Sequence, residues 1–122
     1  MNETSCLSGS VLILQESGRI AIQKRPGEGL LAGLWAFPLQ EGRLSREAVR
    51  DMLDNLGYKV LSLEDLGRKT HIFTHLEWHL QGFYGQVIAP EGASPYCWAT
   101  PGEIRREYAL PKAFAKYFAG IR

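Results

Sequence analysis

Cysteine is scarce in this chain, with two in 122 residues, Cys6 and Cys97. Neither belongs to a C-x-x-C pair or to any metal-ligand spacing, which excludes a zinc ribbon or an iron–sulfur site built from this chain alone; both read as reduced, structural thiols. Long apolar runs are missing too. No stretch approaches the roughly 20 residues of a membrane span. Met1 to Ser8 is polar, with no basic start leading into an apolar segment, so the pattern predicts a soluble, cytoplasmic protein without a signal peptide. Charge of one sign is equally lacking: fourteen Lys and Arg stand against thirteen Asp and Glu, a net charge of +1. That balance excludes a strongly basic, free-standing nucleic-acid binder and leaves room for a local basic stripe.

What is present is enough for one packed core. With 45% hydrophobic and 22% charged residues, three Trp, five Phe and five Tyr, burial can offset the entropy of ordering the chain. The length suits a single domain. Residues 1–8 read as a flexible segment or linker and residues 9–122 as the domain. Ser10 to Leu14 is a branched apolar run and Arg19 to Gln23 follows it across Glu16-Ser17-Gly18, which predicts two strands joined by a Gly-containing turn. A loop rich in glycine, Arg25 to Gly33, leads into L-W-A-F-P; it lacks the G-K-[ST] ending of a P-loop.

Ser45 to Gly57 predicts a helix. Ser45 is a suitable N-cap, Val49, Met52, Leu53 and Leu56 recur at helical spacing, and Gly57 stands where a helix-ending glycine belongs. From Tyr58 to about Ala89 the pattern is extended, with Leu76, Trp78 and Leu80 alternating against His75, Glu77 and His79, and with Gly82 and Gly85 expected to bend or bulge the strand. Tyr96 to Ala99 predicts a short strand. Thr100-Pro101-Gly102-Glu103 then combines a capping box with Pro at the first helical position. Pro111 opens a terminal helix with Phe114, Tyr117, Phe118 and Ile121 on one side. The expected fold is α+β, a mixed sheet flanked by helices in an α/β/α sandwich.

Three groups of residues carry possible chemistry. His75, Glu77 and His79 fall on one side of an extended segment, a geometry open to a divalent metal, but such spacing is common on solvated strands and the expectation is no metal site. Glu47, Asp51 and Asp54 lie at helical spacing on the polar side of the first helix; they either hold Mg²⁺ through oxygen ligands or pair with Arg46 and Arg50, and periodicity does not choose. Arg68-Lys69 immediately precedes His71-Ile72-Phe73-Thr74-His75. These cations are placed to meet phosphates if that stretch reads a base, and otherwise belong to an ordinary solvated surface.

The order strand, strand, W-x-F-P, helix ending in glycine, further strands and helix resembles a Nudix domain. The Nudix signature, G-x5-E-x7-R-E-U-x-E-E-x-G-U with U aliphatic, is met here at Arg50 and Gly57. Asp51 stands in place of the glutamate after Arg, Asp54 and Asn55 replace the paired glutamates, and Gly42 and Ala36 occupy the earlier Glu and Gly positions. In active Nudix hydrolases those glutamates hold the divalent ions that activate water, so the resemblance implies a frame whose metal site is dismantled.

A closer resemblance rests on Arg25 with G-L-L-A-G-L-W-A-F-P (Gly29 to Pro38), on H-I-F-T-H (His71 to His75) with Trp78, and on A-L-P-K-A-F-A-K-Y (Ala109 to Tyr117). Together these are similar to the C-terminal domain of MutY-type adenine DNA glycosylases, over roughly Gly9 to Phe118. In that family the domain recognises 8-oxoguanine paired with misincorporated adenine, and a separate N-terminal helical domain bearing an iron–sulfur cluster excises the adenine. The resemblance therefore implies a monomeric, non-catalytic recognition domain of a bacterial, nucleoid-associated repair enzyme. It has no cofactor of its own and no membrane contact, and its partners are 8-oxoguanine·adenine duplex DNA and the catalytic domain of the same protein.

The family's lesion-reading Phe-Ser-His falls on Phe73, Thr74 and His75. Guanine offers an acceptor at N7, whereas 8-oxoguanine carries N7–H, a donor, so a hydroxyl that accepts this proton tells the two apart. Thr74 keeps the hydroxyl while adding a methyl that restricts χ1. Phe73 is either a core aromatic or a DNA contact. The competing reading is an active, Mg²⁺-dependent Nudix pyrophosphohydrolase acting on oxidised nucleoside triphosphates through Asp51 and Asp54; a module that only binds other proteins is a third.

Overall fold

A computed structural model of the chain describes residues 5–25, 27, 33–73, 76–92 and 95–108. Its elements, in chain order, are β1 (Ser5–Glu16), β2 (Arg19–Lys24), β3 (Trp35–Ala36), β4 (Leu39–Glu41), α1 (Arg46–Asn55), β5 (Lys59–Phe73), β6 (Leu76–Ile88), β7 (Cys97–Ala99) and α2 (Pro101–Glu107). The strand order is β3-β2-β1-β6-β5, with β4 added to β1 and β7 to β2. β1 pairs with β6 in parallel from Ser5↔Leu76 to Gln15↔Gln86, while β5–β6 and β1–β2 are antiparallel, so the sheet is mixed.

The alternation of side chains along β1 divides the interior in two. Val11 and Ile13, with Ile20, Ile22, Trp78 and Leu80, face Phe37 of the W-A-F-P block and Ile104 of α2. Leu12 and Leu14, with Ala21, Phe83 and Val87, face Val49 and Leu53 of α1. One helix thus covers each side of the sheet, and the α/β/α sandwich expected from the sequence is the fold observed. Burying a side chain such as Leu53, which is fully enclosed, stabilises the domain by roughly 1.5–3 kcal/mol. Among the described residues no helix is long and apolar enough to cross a membrane.

Local chemistry sets the element ends. Ser17 and Gly18, both at positive φ, make the two-residue turn between Glu16 and Arg19, the primed geometry that matches strand twist. Ser45 Oγ accepts the Ala48 amide at the start of α1. At its end Gly57, at φ 89°, donates to Asp54 C=O and Tyr58 to Leu53 C=O, a Schellman closure that needs the left-handed glycine. In α2 the capping box is complete, with Thr100 Oγ1 accepting from Glu103 N and Glu103 Oε1 accepting from Thr100 N. Ser10, buried on β1, donates to Gly42 C=O and accepts from Leu44 N, both at 2.9 Å, which fixes the approach to α1.

The structure departs from the sequence expectations in three places. β1 begins at Ser5, inside the segment read as a linker, because its backbone ladder with β6 continues past the apolar run that marks only the fully buried part. The bulges lie in β5, between Val60 and Ser62 and between Asp65 and Gly67, not at Gly82 and Gly85. Gly85 instead stays narrow for packing, since a Cβ there would meet Leu63 Cδ1 at 3.2 Å. Two short strands also form where none was expected, β3 within the W-A-F-P block and β4 directly after it. The terminal helix expected from Pro111 lies outside the described residues.

Candidate nucleic-acid interface

β5 and β6 form a long hairpin that is paired from Lys59↔Ile88 to Phe73↔Leu76. Residues 74 and 75 connect its two strands. Phe73 ends β5, whereas Thr74 and His75 lie outside the described residues. The other two residues assigned to DNA contact are described in full. Arg68 stands opposite Gln81 and Lys69 opposite Leu80. Being consecutive on a strand they point to opposite faces of the sheet, so they do not form the joint basic pair that adjacency in sequence suggested. Arg68 is exposed and Lys69 partly buried.

Arg68 belongs to a small polar network on the face that α1 covers further along. Its Nε donates to Gln81 Oε1 at 3.4 Å, the Gln81 amide donates to Asp65 Oδ1, and that oxygen also accepts the Gly67 amide at 2.7 Å. The β5 bulge thereby orients the Arg68 stem from below. Beyond it on the same face Thr70 Oγ1 lies 3.3 Å from His79 Nδ1, and His79 Nε2 lies 3.2 Å from Glu77 Oε1. Cys6 is brought alongside by the parallel register Cys6↔Glu77. Sequence spacing gave no sign of this neighbour, because alternation along β6 identifies a face and not the strand that lies next to it.

The residues of the Nudix-like segment sit on α1 with Val49 and Leu53 turned inward. Arg46, Glu47, Arg50, Asp51, Asp54 and Asn55 are all exposed on its outer side, and Gly57 closes the helix. No ion pair joins Arg46 or Arg50 to Glu47, Asp51 or Asp54 among the described residues. Nor do those three carboxylates converge: the one group of three possible ligands in the described residues is Cys6, Glu77 and His79.

Three groups away from the hairpin have perturbed titration. Hydrogen bonds from the Thr100 amide and hydroxyl hold the Glu103 carboxyl below its ordinary range. Burial, with Tyr58 nearby, pushes the Tyr96 phenol up. A hydrogen bond shared with Cys97 Sγ, 3.9 Å away, raises Tyr108, whose ring also packs edge-on against Trp35 at 4.8 Å. Cys97 is thus a packing thiol, as its isolation in the sequence suggested.

A sheet of this order, helices on both faces and a helix closed by glycine behind an Arg-Asp pair define the class: the chain belongs to the Nudix family, whose model, described as NUDIX domain, matches residues 10–120. Within that class its curated relatives include adenine DNA glycosylases. The human one is 32% identical over 105 residues, 78% of this chain and 19% of the relative, and the Arabidopsis thaliana one is 35% identical over 77 residues, 51% and 12%. The chain therefore spans a fifth or less of the length of these two relatives.

Among solved structures, the C-terminal domain of mouse MUTYH, crystallised in complex with human PCNA, superposes with a TM-score of 0.70 at 22% identity, covering 93% of this chain and 85% of that one. A MutT NUDIX hydrolase from Burkholderia pseudomallei gives 0.73 at 17% identity, covering 97% and 99%. At these identities the two show the fold. Together with the curated relatives they bear out the likeness to the MutY-type C-terminal, Nudix-like domain that the G-L-W-A-F-P and H-I-F-T-H blocks carry.

Proposed function

We propose that this chain is the lesion-recognition domain of a MutY-type adenine DNA glycosylase acting in base excision repair. It binds duplex DNA and reads 8-oxoguanine opposite misincorporated adenine, while excision belongs to an N-terminal catalytic domain bearing an iron–sulfur cluster. The observation that carries the reading is the β5–β6 register: pairing from Lys59↔Ile88 to Phe73↔Leu76 brings Phe73, with Arg68 five residues before it, to the closed end of a long hairpin at the edge of the sheet. The closed end of a hairpin suits a reader that must reach a base edge. The Thr74 hydroxyl accepts the N7–H that only the oxidised base offers, Phe73 and His75 shape the contact, and Arg68 meets a flanking phosphate. The exposed, unclustered carboxylates of α1 favour binding without hydrolysis over Mg²⁺ chemistry at Asp51 and Asp54.

The test is single-turnover adenine excision by the full-length glycosylase on 8-oxoguanine·adenine and guanine·adenine duplexes. Thr74→Ala should shrink the preference for the oxidised duplex by about 5- to 150-fold, the equivalent of one base contact worth ~1–3 kcal/mol. An unchanged preference would overturn the role given to Thr74. Sustained pyrophosphate release from nucleoside triphosphates and Mg²⁺ by the purified chain, abolished by Asp51→Asn, would overturn the non-catalytic reading in favour of a Nudix pyrophosphohydrolase.

A further inference from the structure

The parallel pairing of β1 with β6 creates a juxtaposition independent of lesion reading. Cys6 and Glu77 are register partners and His79 lies two residues further on the same face. The thiol sulfur, a Glu77 carboxylate oxygen and a His79 ring nitrogen all lie within 4.8 Å of one another. Cys6 is exposed, and Glu77 and His79 are partly so, with side chains 36% and 30% accessible, so an ion can enter from solvent. We propose that these three side chains form a Zn²⁺ site that ties the start of β1 to the closed end of the β5–β6 hairpin.

The geometry meets the demands of the ion. Tetrahedral Zn²⁺ with the usual bond lengths separates a nitrogen and an oxygen ligand by about 3.3 Å and a sulfur from either by about 3.6 Å. His79 Nε2 and Glu77 Oε1 already stand 3.2 Å apart. Bringing Sγ into place from within 4.8 Å requires a movement of at most about 1.2 Å, within reach of the Cys6 side-chain torsion. Thr70 Oγ1 at 3.3 Å engages His79 Nδ1, which leaves Nε2 to face the metal. That is the outer partner metal-ligating histidines ordinarily have.

The donor set selects the ion: thiolate with imidazole suits a borderline-soft metal and disfavours Mg²⁺ and Ca²⁺, and three protein ligands leave the fourth position to water. Binding displaces the thiol proton to the buffer, since the thiolate is the ligating form.

The experiment is titration of the reduced, purified chain with Co²⁺ alone, followed by displacement with Zn²⁺. One Co²⁺ per chain is expected, with a thiolate-to-cobalt charge-transfer band and the intense visible bands of four-coordinate geometry, both removed by one equivalent of Zn²⁺. Cys6→Ser should abolish the charge-transfer band; His79→Ala and Glu77→Gln should each weaken binding at least about tenfold, and Thr70→Val by about tenfold through the outer contact. Cys97→Ser should leave the band unchanged. In that background, alkylation of the remaining thiol should remove the band without relying on a folded Cys6 variant. Absence of one-to-one binding, a band that survives His79→Ala and Glu77→Gln, or one that disappears with Cys97→Ser would each overturn the site.

Discussion

Ser10 offers the most direct test of how this fold holds its parts together. Its hydroxyl is enclosed on β1 and makes two hydrogen bonds of 2.9 Å, donating to Gly42 C=O and accepting from Leu44 N. In Ser10→Ala both backbone groups lose their partner in a partly buried place. At about 1 kcal/mol for each net hydrogen bond the loss is about 2 kcal/mol, and more if Leu44 N–H stays dry. The assay is equilibrium urea unfolding. With a slope of about 2 kcal/mol per molar, the midpoint should fall by about 1 M at unchanged slope. Ser8→Ala is the control, because Ser8 points to the same face of the same strand but is exposed; it should change stability by less than about 0.5 kcal/mol. Equal midpoints for Ser10→Ala and wild type would refute the reasoning, as would equal losses in both variants.

Other substitutions probe separate links. Leu53→Ala, at the fully buried side of α1, should cost about 2–5 kcal/mol by unfolding; a loss below 1 kcal/mol would mean that α1 is not seated on Leu12 and Leu14. Gly57→Ala places a Cβ at φ 89° and 3.3 Å from Pro90 Cβ, and should destabilise by about 1 kcal/mol or more in the same assay. Glu103 sits below its ordinary value when folded, so its contribution is present at neutral pH and is lost as pH falls through the depressed value. Melting curves of wild type and Glu103→Gln should accordingly differ most near neutrality and converge in acid. For duplex binding, Arg68→Ala should reduce the log–log salt slope by about 1 while the partly buried Lys69→Ala leaves it nearly unchanged; equal effects would place both cations on the DNA.

The ends of α1 and α2 were legible because their chemistry is local: Ser45, Gly57, Thr100 and Glu103 act on backbone groups within a few residues of themselves. Burial of Trp78 and Leu80 was legible for a similar reason, alternation being a property of one strand. Pairing between distant strands was not. Nothing in Ser5 to Ser8 announces a neighbour at Leu76 to His79, so the strand looked like a linker and Cys6 looked isolated. Glycine does not mark the bulges: the extra residues in β5 are Leu61 and Leu66, set by the register of the hairpin and invisible to composition. The opposed faces of Arg68 and Lys69 could have been read from the sequence, since consecutive residues of any strand diverge. The Phe73-Thr74-His75 assignment came from resemblance, and no spacing rule would have found it.

The parallel ladder between β1 and β6 also governs when the domain can close. β1 is made before the other described strands of this sheet, yet its partner along Ser5 to Gln15 is not available until Gln86 has been made. The β5–β6 hairpin needs only neighbouring sequence and can form early, whereas the centre of the sheet waits for a loop of about 70 residues to close. Until then β1 carries a bare apolar stretch, and truncation before the end of β6 should give an aggregating chain rather than a smaller domain.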